Sequence, residues 1–60
     1  MCIAVYDENG ELVYHGEADD FLFMNENDLV LEMVLDSMER TGKRVEKVFG
    51  YTIRKCSYED

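Results

Sequence analysis

Apolar and polar positions in this 60-residue chain follow two rhythms. Between Asn25 and Gly42 the apolar residues recur at helical spacing. At about 100° per residue, Val30, Leu31, Val34, Leu35 and Met38 share one face. Asp28, Glu32, Asp36 and Glu39 form an acidic stripe opposite. Leu29 and Met33 flank that stripe, so the apolar arc is wider than one sheet contact requires. Asn25 is a suitable N-cap, with Asp28 answering three residues on and Met24 and Leu29 placed for a hydrophobic staple. Glu26 and Asp28 suit the positive first turn and Arg40 the negative last one. Gly42 is placed to end the helix in the left-handed conformation.

Elsewhere the pattern is extended. Cys2–Tyr6 (CIAVY) and Leu12–Gly16 (LVYHG) read as two strands joined by Asp7-Glu8-Asn9-Gly10-Glu11. The favoured turn is type I with Gly10 left-handed in a bulge and Asp7 bonding back to the turn amides. That register sets Tyr6 opposite Leu12, Val5 opposite Val13 and Ala4 opposite Tyr14. Ile3, Val5, Val13 and His15 then share one face, and Ala4, Tyr6, Leu12 and Tyr14 the other. Glu17–Met24 is an acidic elbow (Glu17, Asp19, Asp20) followed by Phe21–Met24, which fits either an edge strand or a plug over the core. Val45–Cys56 alternates as one further strand, with Gly50 marking a bulge or a close approach.

The order is ββαβ, an α+β fold with one helix on a three-stranded sheet. The first strand is the most apolar and belongs in the centre, giving spatial order 2-1-3. Strand 1 starts and strand 3 ends at the same edge, which brings Cys2 and Cys56 together. One helix covers only one of two apolar sheet faces. Tyr6 and Tyr14, on the face left open, are therefore candidates for an interface.

Sixty residues make a single small domain spanning 1–60, and a chain of this size is marginally stable without help. Two cysteines allow one bridge at most, and Cys2, His15 and Cys56 are scattered singletons without zinc-motif spacing. Neither a signal peptide nor a membrane span is legible. The expected setting is cytoplasmic with reduced thiols.

Charge changes the picture most. Residues 1–39 carry 11 acids and no lysine or arginine, whereas all six basic residues follow position 39. Such a field argues against direct nucleic-acid or anionic-membrane binding and for a basic partner. Catalysis has weak support: His15 is the only histidine, no local signature surrounds either cysteine, and no phosphate loop is present. The acids lack a calcium-loop pattern, so neither metal nor cofactor is expected.

The leading expectation is a small non-catalytic binding protein that occupies the basic surface of a larger one. Its concrete version is an inhibitor of a nucleic-acid-binding machine that mimics nucleic acid. Compactness and acidity fit a virus-like inhibitor by analogy of composition alone. The candidate contact residues are Glu17, Asp19, Asp20, Asp28, Glu32, Asp36, Glu39, Tyr6, Tyr14, Leu29 and Met33. The alternative is a homodimeric structural or regulatory module whose charge keeps it in solution.

Overall fold

The computed structural model describes residues 1–56. The elements are β1 (Cys2–Tyr6), β2 (Leu12–Glu17), α1 (Ala18–Met24), α2 (Leu29–Thr41), β3 (Val45–Val48) and β4 (Tyr51–Lys55). The fold is α+β. Its sheet has four strands in the order β2-β1-β4-β3, each pair antiparallel.

The expected third strand is in fact a hairpin, which corrects three strands to four and order 2-1-3 to 2-1-4-3. Val48 pairs with Tyr51, and the two residues between them, Phe49 and Gly50, both have positive φ (54° and 80°). Two left-handed residues in succession make the tight turn whose twist suits a hairpin. The alternation of apolar residues continues through that turn, so the pattern reads as one strand. The last strand still lies beside β1, antiparallel to it, as expected.

A second helix replaces the undecided segment after Glu17. Ala18 is buried and Phe21 and Leu22 are half-buried, which is the i, i+3, i+4 spacing of one helical stripe. Asp19 and Asp20 sit in its first turn, where the helix end favours negative charge. Asn25 therefore ends α1 and does not begin α2. Its Nδ2 donates to the Phe21 carbonyl (2.8 Å). Glu26 and Asn27 then turn left-handed, and Asp28 caps α2 by accepting from the Leu31 amide (3.1 Å). The expected staple across an Asn25 cap falls with that cap. Gly42 closes α2 left-handed (φ 77°), as the sequence indicates.

Both helices pack on the same sheet face. Ile3, Val5 and Ile53 meet Ala18, Leu31, Leu35 and Met38 in one core. Val34 is half-buried beside it, but Val30, expected on the core face, is 48% exposed. Full burial of a large aliphatic side chain contributes about 1.5–3 kcal/mol. The central strands β1 and β4 thus carry the sheet's share of the stability.

The Asp7–Glu11 turn forms as expected. Asn9 and Glu11 amides donate to Asp7 Oδ1 (2.8 and 2.9 Å), and Gly10 is left-handed (φ 83°). Tyr6 faces Leu12 as expected, but a second irregularity follows at once. Val5 pairs with Tyr14 and Ala4 with His15, so the expected pairs Val5–Val13 and Ala4–Tyr14 are corrected by one residue. One slipped residue exchanges faces. Tyr14 moves under the helices, and His15 moves to the open face beside Ala4 and Cys2.

Candidate functional site

Acids from the two helices gather around one groove. Asp19 comes from the first turn of α1, and Glu32, Asp36 and Glu39 from one face of α2. Together with Leu22, Met33 and Leu35 they line an open groove of about 480 Å³. The spacing explains the alignment: residues 32, 36 and 39 lie at i, i+4 and i+7 and face the same way. Met33 remains 65% exposed between them. The groove is thus acidic at its rim and apolar in part of its floor. A lysine or arginine fits such a surface by laying its stem on methionine and its charge among carboxylates. Arg40 already pairs with Asp36 (2.8 Å), so Asp19, Glu32 and Glu39 are the rim acids without an ion pair in the described residues.

The remaining sequence candidates disperse. Glu17 Oε1 takes the Met1 ammonium (3.1 Å). Asp28 is committed to the α2 cap and borders a different, apolar cleft of about 450 Å³ lined by Phe21, Met24, Phe49 and Tyr51 among others. Leu29 is 70% exposed on α2. Tyr6 lies on the sheet face away from the helices, as expected. Tyr14 does not: its ring stacks at a tilt on Phe21 (centroids 4.8 Å) and its hydroxyl donates to the Glu17 carbonyl (2.8 Å). The argument for Tyr14 as an open-face contact fails with its register. Partial burial, then the Asp20 and Glu17 carboxylates, hold the Tyr14 phenol above its ordinary range. It stays a hydrogen-bond donor at neutral pH.

Charge divides between the two layers. Residues 18–41, the helical layer, hold seven acids and one base, Arg40. Rows across the open sheet face follow from the pairing: His15, Ala4, Arg54 and Val45 in one, Leu12, Tyr6, Thr52 and Lys47 in the next. That face has no acid in these two rows.

Sequence reasoning foresaw only part of one further cluster. Cys2 and Cys56 meet as expected, with Cα atoms 5.2 Å apart, and are joined here as a disulfide; the expectation of reduced thiols applied to a cytosolic setting. His15 joins them, its Nε2 3.8 Å from Cys2 Sγ. The three donor atoms lie within 4.8 Å of one another. Residues at positions 2, 15 and 56 show no motif spacing because three different segments supply them. The only legible signal was the strand order, which predicted the cysteine pair; the slipped register then adds the histidine.

Among the described residues no helix is long and apolar enough to cross a membrane. Comparisons with protein-family models, curated proteins and solved structures return no match.

Proposed function

We propose that this protein is a non-catalytic binding module whose acidic helical layer occupies a basic surface of a larger protein and blocks it. The observation that carries this reading is the convergence of Asp19 with Glu32, Asp36 and Glu39 on one groove with Met33 exposed inside it. Charge density sets the form of the contact. Successive acids four residues apart on a helix are separated by about 6 Å. A DNA duplex presents a charge about every 1.7 Å. The hairpin acids Asp7, Glu8 and Glu11 lie at the strand end away from Glu17 and α1, so they do not extend the groove. The geometry therefore favours capture of a short basic segment, such as a nucleic-acid-binding loop or arm, over imitation of a whole duplex. A cytoplasmic setting suits this reading, and reducing conditions of that kind would open the Cys2–Cys56 bond.

The test is capture of basic proteins from a lysate at low and high salt, compared with the variant Asp19→Lys, Glu32→Lys, Glu39→Lys. These three acids neither cap a helix nor pair with Arg40. Electrostatic steering is worth about 10–1,000-fold in association rate. The triple variant is expected to lose that factor while keeping its circular dichroism. Equal binding by variant and native protein at low salt overturns the reading.

A second reading, a homodimer, rests on a different observation. Phe23, Met24, Leu29, Val30 and Met33 are all exposed on the helical layer. Solvent-facing apolar residues in such number mark association surfaces when they are contiguous. Mass in solution at tens of micromolar separates the two readings.

A further inference from the structure

We propose that Cys2, His15 and Cys56 form a zinc site when the disulfide is reduced, so that one trio of side chains carries either a covalent cross-link or a metal. The donor set is the first reason. Thiolate and imidazole are the ligands zinc takes in tetrahedral sites. Two thiolates and a neutral imidazole also balance the charge of one Zn2+, with no carboxylate required.

Geometry is the second reason. Bonds of about 2.0–2.3 Å to a tetrahedral zinc put neighbouring donor atoms roughly 3.5–3.8 Å apart. Cys2 Sγ and His15 Nε2 are already 3.8 Å apart, and all three donors fall within 4.8 Å. Only the two sulfurs stand too close, because they are bonded. Breaking that bond lets them separate to the required distance with the Cα atoms held 5.2 Å apart on neighbouring chain segments. His15 sits on β2 next to Cys2 on β1, and Cys56, one residue past β4, is tied to β1 by its amide donating to the Cys2 carbonyl (3.0 Å). A rigid scaffold of this kind preorganises ligands. His15 is exposed, which leaves the fourth coordination position to water on the open sheet face.

The chemistry balances. A dithiol reductant delivers two electrons and two protons to the Cys2–Cys56 bond, giving two thiols, and is itself oxidised to a disulfide. Zn2+ then displaces two protons from those thiols. An oxidant that reforms the disulfide takes two electrons from the sulfurs and releases the metal. Cross-link and metal exclude one another because both use the same sulfur electron pairs.

The experiment uses the full chain in two forms. One is oxidised. The other is reduced with a phosphine, which becomes the phosphine oxide by taking oxygen from water, and is desalted without air. Each is titrated with Co2+ and then Zn2+, and followed by absorption, native mass and circular dichroism. The reduced protein is expected to bind one Co2+ per chain with thiolate-to-metal charge transfer and tetrahedral d–d bands, both erased by Zn2+. The oxidised protein is expected to bind none. Loss of an outer partner of a metal ligand costs about 10–100-fold in affinity; His15→Ala, which removes a direct ligand, is expected to cost at least that. Bound Zn2+ is further expected to slow reoxidation of the thiols by diamide, with EDTA restoring the rate. If reduction loosens the fold, Zn2+ is expected to restore it. One metal per two chains, equal affinity in His15→Ala, or a reduced chain that zinc neither occupies nor refolds overturns the proposal.

Discussion

The two hairpins are built to opposite plans. The turn from Asp7 to Glu11 is polar throughout, and one carboxylate accepts from two of its amides. Its left-handed position belongs to Gly10. The turn at Phe49-Gly50 has no such brace. It places a phenylalanine left-handed (φ 54°), where asparagine or glycine is the usual occupant, and leaves the ring 66% exposed. Gly50 is constrained by its own φ (80°), and a Cβ there would also push aside the movable Glu8 carboxylate of the first turn. One turn is thus stabilised locally, whereas the other is held by what surrounds it. The Phe49 ring stands in solvent at the mouth of the apolar cleft.

The Cys2–Cys56 bond joins the two hairpins, and its reduction is the largest expected effect. A loop closed over a sequence separation of 54 stabilises by about 4 kcal/mol in the chain-entropy estimate. Urea denaturation with and without reductant, in the absence of metal, reads that loss. A negligible loss would mean that the two hairpins hold together by packing alone. Next in size is Asp7→Ala, expected to cost about 1–2 kcal/mol, because two amides lose their carboxylate. The mirror experiment, Phe49→Asn, is expected to raise stability by about 1 kcal/mol by relieving the left-handed strain. Thermal denaturation of both variants breaks the comparison if the two changes have the same sign.

The smallest effect concerns the contact of the first hairpin with α1. The folded-state pKa of Tyr14 is raised, so its contribution is complete below the ordinary tyrosine value near 10 and is lost as pH rises through the folded value. Stability measured at pH 9 and pH 11 is expected to fall more in the native chain than in Tyr14→Phe. An equal fall in both removes Tyr14 from the account.

These turns also show what was legible. Asn9-Gly10 carries its own signal, and Asp7 stands where its carboxylate bonds back. Phe49-Gly50 carries a false one, since Val48, Phe49 and Tyr51 extend an alternating apolar pattern through the reversal. The first helix hid similarly. Phe21 and Leu22 lie in the apolar run Phe21–Met24, in which Phe23 and Met24 are exposed, so periodicity was obscured. Asn25 fits a cap at either end of a helix, and only the space it occupies decides which. The groove was half visible: the stripe on α2 follows from spacing alone, but Asp19 joins it only through α1. The pairing of Cys2 with Cys56 followed from strand order. His15 did not, because a one-residue slip between Val5 and Tyr6 cannot be read from composition.

The position of the disulfide has a mechanical consequence. Cys2 and Cys56 stand side by side on adjacent antiparallel segments, the arrangement that tension applied at those two points would otherwise unzip one hydrogen bond at a time. With the sulfurs joined, the load runs through a single covalent bond, and the 53 residues between the cysteines feel almost none of it. Reduction turns the same two points into the start of a zipper. A protein held at these two points would therefore switch from inextensible to yielding when two electrons arrive.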